Sequence, residues 1–96
     1  MSHQSINFRV GASVKMLVGS NVIDQGIVRR FESSEHPQFV QEIAVESLEA
    51  FPGRVTEFAS PISSGDTTSW LMLFHDPFTG GRCYAERGPL YQFVAV

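Results

Sequence analysis

Four residues near the C-terminal end are of the types that small-molecule chemistry uses: His75, Arg82, Tyr84 and Glu86. A histidine titrates near neutrality, a guanidinium grips anions, and a phenol and a carboxylate donate and accept. Their spacing joins them. Asp76-Pro77-Phe78-Thr79-Gly80-Gly81 is dense turn chemistry, in which proline presets φ and glycine supplies positive φ. A hairpin centred on Phe78-Thr79 sets Phe74 opposite Cys83, Met72 opposite Ala85 and Trp70 opposite Arg87 on one face. On the other face His75 lies opposite Arg82, Leu73 opposite Tyr84 and Leu71 opposite Glu86. The first face is apolar and suits a core. The second sets polar tips over a leucine floor, the composition of a ligand pocket or of a wet interface between subunits. A histidine beside an arginine favours an anionic ligand, and Glu86 can instead hold Arg82 in place.

Other chemistry is thinly represented. There is no phosphate-binding glycine loop, no nucleophile elbow and no paired-histidine helix motif. His3, His36 and His75 are far apart, and metal ligation needs three or four converging ligands. We therefore expect no metal, no cofactor and no catalytic residue. Cys83, the single cysteine, reads as a small buried apolar side chain rather than a reactive thiol. It excludes a disulfide framework within the chain.

The elements that must position these residues follow from periodicity. Residues 6–10, 14–18 and 27–31 have the apolar pattern of strands, with Gly26 a candidate bulge before the third. Residues 34–53 change character. Ser34 could cap a helix, and Pro37 suits its first turn. Phe39, Val40, Ile43, Ala44, Leu48 and Phe51 then fall on one face at 3.6 residues per turn, and Gln41, Glu42, Glu46 and Glu49 fall opposite. The pattern predicts an amphipathic helix over 37–51, stopped by Pro52-Gly53, with Val45 misplaced on its wet side. Residues 54–59 read as a strand and 60–69 as a loop. Residues 70–74 are apolar at every position, which suits a central strand covered on both faces. Residues 82–87 and 90–96 complete about six strands, and the expected fold is α+β, with the helix on one face of a mostly antiparallel sheet.

At 96 residues the chain is a single domain, 1–96, with 43% hydrophobic residues and a net charge of −3. Composition excludes a disordered chain. No apolar run is long enough for a membrane span, and the N-terminus lacks a signal-peptide pattern, so a cytoplasmic location is expected. Arg29-Arg30 is the one adjacent pair of cations, too little for a nucleic-acid surface. Glu32, Glu35, Glu42, Glu46 and Glu49 fall in a stretch without Lys or Arg, which reads as a solvated face or as a surface for a basic protein partner.

The stretch Ala44-Val45-Glu46-Ser47, with Glu49-Ala50, Pro52-Gly53 and Val55, resembles a strand–turn–strand stretch of the plasmid-borne type II dihydrofolate reductases. Those are small SH3-like barrels that work as tetramers around one pore. Val10-Gly11-Ala12-Ser13-Val14 and Gly26-Ile27-Val28 also suit an SH3-like start. The resemblance covers about half the chain, takes Leu48 as an insertion, and implies an alternative fold, an SH3-like all-β barrel. It does not carry the activity. That family places Val-Gln-Ile-Tyr where this chain has Val55-Thr56-Glu57-Phe58, so the glutamine and tyrosine that meet substrate and cofactor are missing.

These observations together lead us to expect a non-catalytic, self-associating binding protein for a protein partner or a small ligand. The homo-oligomer, a dimer at its simplest, follows from strands that are apolar on both faces where one helix can cover only one. The alternative is a small-molecule enzyme or carrier with its pocket on the His75/Tyr84/Glu86 face.

Overall fold

In the computed structural model of the protein, residues 8–61, 69–84 and 88–96 are described, with Pro61 and residues 82–84 described by their backbone. Seven strands are formed: β1 (Ser13–Val18), β2 (Asn21–Ser33), β3 (Phe39–Ser47), β4 (Val55–Pro61), β5 (Leu71–His75), β6 (Arg82–Tyr84) and β7 (Tyr91–Ala95). All pair antiparallel, in the order β6-β5-β4-β3-β2-β1-β7. The sheet curls. Trp70, just before β5, exchanges two backbone hydrogen bonds of 2.9 Å with Tyr91 at the start of β7, so β7, at one end of the order, meets at one point the segment that leads into β5, next to the other end.

The α+β expectation is overturned, because the described residues contain no helix. Residues 39–47 of the expected helix are β3, paired on both sides with β2 and β4, and 48–54 are a turn. The misleading signal has a physical cause. A central strand buried on both faces loses the polar–apolar alternation that marks a strand. Ile43 and Val45 point into the core, while Glu42 and Ala44, on the opposite face, are buried as well. Val45, on the wet side of the expected helix, is 2% exposed. The amphipathic pattern was a coincidence of spacing in which the polar members, Glu42 and Glu46, are held by arginines.

Val14, Met16, Val28, Ile43, Val45, Phe58, Trp70 and Phe93 fill the inside of the curl, with Phe8 against them. Aromatic edges dominate the packing: Phe58 meets Phe93 at 5.0 Å and Tyr91 at 5.1 Å between ring centres. Such pairs add roughly 0.5–1.5 kcal/mol each beyond their buried area. Phe39, Ala59 and Leu73 form a second cluster, with Leu71 against it. Gly26 is a close approach rather than a bulge. A Cβ there would lie 2.4 Å from Val45 Cγ1 and 2.7 Å from the Glu46 carbonyl oxygen. The register shifts fall elsewhere, between Val28 and Arg30 and between Met16 and Leu17. Of the strand expected at 6–10, residues 8–10 are not in a strand, although Phe8 is buried, and the rest lies outside the described residues.

Candidate functional site

The β5–β6 hairpin has the register that its turn dictates. Leu73 pairs with Tyr84, Phe74 with Cys83 and His75 with Arg82. Asp76 builds the turn, its Oδ1 accepting from the Phe78 and Thr79 amides at 2.8 and 3.4 Å. Of the four expected site residues, His75 is exposed, with Nε2 3.3 Å from Glu57 Oε1. The backbone pairs His75 with Arg82 and leaves Tyr84 two residues further along β6. The side chains of Arg82 and Tyr84 and the whole of Glu86 lie outside the described residues.

A second feature is better built. β4 and β5 pair at only two positions, Phe58 with Met72 and Ala59 with Leu71, and then separate. Between the diverging ends, residues 54–58 and 72–75, lies a cavity of about 590 Å³. Its volume falls in the range of small-molecule sites. Met16, Val45, Phe58, Met72 and Tyr91 give it an apolar lining, and Thr56, Ser47 and Asp24 supply polar groups. Phe51, Phe74, Ile23 and Arg54 belong to its exposed rim.

The turn over this cavity is tied down at nearly every position. The Leu48 amide donates to the Gln25 carbonyl at 2.8 Å, the Gly53 amide to Ser47, and the Arg54 amide to Phe51. Gly53 adopts φ 86°, a conformation glycine takes without a Cβ clash. The Ser47 hydroxyl accepts from the Phe51 amide at 2.9 Å. The deepest anchor comes from β2. Asp24, buried to 6% exposure, accepts at Oδ1 from the amides of Gln25, Ala50 and Glu49 at 2.8, 3.1 and 3.3 Å. Burial pushes the Asp24 carboxyl up, but the Ser47 hydroxyl and those amides outweigh it and hold it below the usual carboxylate range. The charge of Asp24 is therefore spent on the turn.

Outside the cavity the charges form a network. Arg30 pairs with Glu57, with Glu32 at 3.3 Å and with Glu42 at 3.6 Å, and Glu42 also accepts from the Ser34 hydroxyl at 3.0 Å. Arg29 pairs with Glu46 at 2.9 Å. Three acids of the cation-free stretch, Glu32, Glu42 and Glu46, are thus engaged by the Arg29-Arg30 pair. By contrast Arg54 makes no ion pair among the described residues. Its guanidinium carbon sits 5.6 Å from the centre of the Phe51 ring.

Sequence reasoning missed Asp24, Phe51, Arg54, Phe58, Met72 and Tyr91 as a group, because a helix over 37–51 cannot bring them together. The available signal was Pro52-Gly53 read as a hairpin turn instead of a helix stop, which would have raised Phe51 and Arg54 to a rim. Among the described residues no group of three or more His, Cys, Asp or Glu could hold a metal ion. Among the same residues no helix is long and apolar enough to cross a membrane. Fold and cavity define the class: a small all-β domain with one curled antiparallel sheet and a ligand-sized opening between two diverging strands. No family model, no curated protein and no solved structure matches this chain.

Proposed function

We propose that the protein is a non-catalytic binding protein that takes a small, largely apolar molecule into the cavity between β4 and β5. The observation that carries this reading is the cavity itself: about 590 Å³, lined by apolar side chains and a few polar groups, beneath a turn that is fixed before any ligand arrives. A fixed turn lowers the ordering cost of binding. The non-catalytic part rests on how the polar groups are used. Asp24 caps backbone amides, and Glu57 and His75 hold each other, with Arg30 on Glu57. None is left poised as a nucleophile or base. The fluorescence of N-phenyl-1-naphthylamine, a neutral dye that brightens in apolar surroundings, tests the reading. The wild type should bind it saturably at one site, and Thr56→Trp, which fills the cavity from β4, should abolish the signal while keeping a cooperative melt. Dye binding unchanged by Thr56→Trp would overturn it.

Self-association belongs to the same proposal, on a separate observation. Beyond Tyr91, no described strand pairs with the outer edge of β7. Tyr91 bonds outward to Trp70, so by alternation the amides and carbonyls of Phe93 and Ala95 point to that open edge. Residues 91–96 hold no charge and no proline, the usual protections of an edge strand. A second copy can pair there about a two-fold axis. Light scattering should give twice the chain mass of 10.7 kDa, and Ala95→Pro should restore the monomer. A wild-type monomer would sink this part. The cytoplasmic location is retained as a proposal, on the single cysteine and the expectation of a reducing compartment.

A further inference from the structure

The chemical class of the ligand follows from how the charges at the cavity are spent. The carboxylate and guanidinium residues lining it are Asp24, Glu57 and Arg54. Asp24 is nearly buried and accepts three backbone amides through one oxygen. Glu57 is held by Arg30 and by His75. Neither carboxylate has an unmet demand for a cation, which counts against a cationic guest in spite of the aromatic rings nearby. Arg54 is the reverse case. Among the described residues it has no carboxylate partner, and its guanidinium carbon lies over the ring of Phe51. A guanidinium held over a ring keeps N–H donors for a further partner, and their fork suits a carboxylate or sulfonate.

Position supports the same conclusion. The Arg54 amide is tied to the Phe51 carbonyl at 2.9 Å and its own carbonyl accepts from Ser47 at 2.8 Å, so the backbone that carries the cation is fixed. Phe51 and Phe74, 61% and 52% exposed, line the same cavity, and Phe51 supplies apolar surface beside that cation. We propose that the cavity binds monoanions with an aromatic or branched apolar body, the body packed on Met72 and Tyr91 and the anionic group paired with Arg54 at the rim. This rests on the cavity reading given above and adds the charge requirement to it.

Two dyes of one scaffold separate the claims. N-phenyl-1-naphthylamine is neutral, and 8-anilinonaphthalene-1-sulfonate carries a sulfonate on the same rings. On the full chain at pH 7, the sulfonate should bind about tenfold or more tighter than the neutral dye, the effect of one charge-assisted contact. Arg54→Gln should remove that preference, read as the ratio of the two dyes' affinities within one variant, while Arg54→Lys should keep most of it. Arg54→Lys separates loss of charge from loosening of the turn. Equal binding of the two dyes, or a preference that survives Arg54→Gln, overturns the anion proposal and leaves the cavity reading standing. Failure of both dyes to bind the wild type overturns the cavity reading and the proposal with it.

Discussion

The β3–β4 and β5–β6 hairpins each hang on one aspartate, and the two aspartates work differently. Asp76 accepts from amides two and three residues ahead, inside its own exposed turn. Asp24 reaches from β2 to amides of residues 49 and 50, far along the chain, and is buried while doing so. Both carboxyls lie below their ordinary value. For Asp76 the Phe78 amide and the Thr79 hydroxyl are the main causes, and for Asp24 hydrogen bonds override a burial effect of opposite sign. The local device builds a turn that stands out into solvent, with Phe78 at its tip 95% exposed. The non-local device fixes a turn over a cavity. A binding rim needs the second kind, because it must be held in place relative to other strands and not only shaped.

The sharpest way to break this contrast is to put the same charge into each hairpin. Val45→Asp places a carboxylate in the core of β3 and should unfold the domain, a loss of more than about 4 kcal/mol. Phe78→Asp at the other hairpin's tip should change stability by under about 0.5 kcal/mol. Thermal melts followed by circular dichroism read both. A Val45→Asp protein that melts like the wild type would mean that residues 39–47 are not the central strand.

Gly26→Ala comes next. The added methyl would collide with Val45 Cγ1 and the Glu46 carbonyl, on the strand that leads into the cavity turn. Overpacking of this kind costs roughly 1–3 kcal/mol, and urea denaturation should show it as a lower midpoint. A neutral result would show that β2 and β3 are further apart than the geometry has them.

Asp24→Ala should cost about 1–2 kcal/mol, because it leaves the amides of residues 49 and 50 to find water. It should also speed hydrogen exchange at those amides and weaken neutral-dye binding. The pH dependence has a definite sign. The Asp24 pKa is depressed in the folded protein, so its stabilisation is fully present above the unfolded value of 3.8 and is lost as pH falls through the lower folded value. The stability gap between wild type and Asp24→Ala should be constant from pH 5 to 8 and close below about pH 3.8. A gap that widens on acidification would contradict the charged-cap account. Asp76→Ala should have the smallest effect of the series, visible as exchange at the amides of Phe78 and Thr79 and hardly at all in the melting temperature, since water reaches that turn from every side.

How far the sequence could be read follows the same division. The β5–β6 register was legible because Asp76-Pro77 and Gly80-Gly81 state the turn within six residues, and the turn fixes the pairing. The strands at 14–18, 54–59 and 70–74 were legible from composition. Residues 39–47 were not, since Glu42 and Ala44 are buried on the face where alternation would require exposed polar groups. What hides Glu42 is its pairing with Arg30 and Ser34, a relation between strands. The similarity of residues 44–55 to a strand–turn–strand stretch did point to the geometry found there, on side-chain types alone. The cavity was illegible for a different reason. It exists because β4 and β5 separate after two pairs, and no local pattern records where two strands part.

The claim on which the account turns is that a small molecule enters between β4 and β5 and reaches the core side of the sheet. Methionine methyl NMR tests it directly, because Met16 and Met72 both line the cavity from different strands. Titration with N-phenyl-1-naphthylamine should shift both methyl signals along one saturable curve, with the methyl signals of Val10 and Val96, exposed and outside the cavity lining, unmoved. Shifts at Val10 and Val96 with Met16 and Met72 unmoved would place the dye on the outer surface and contradict the account.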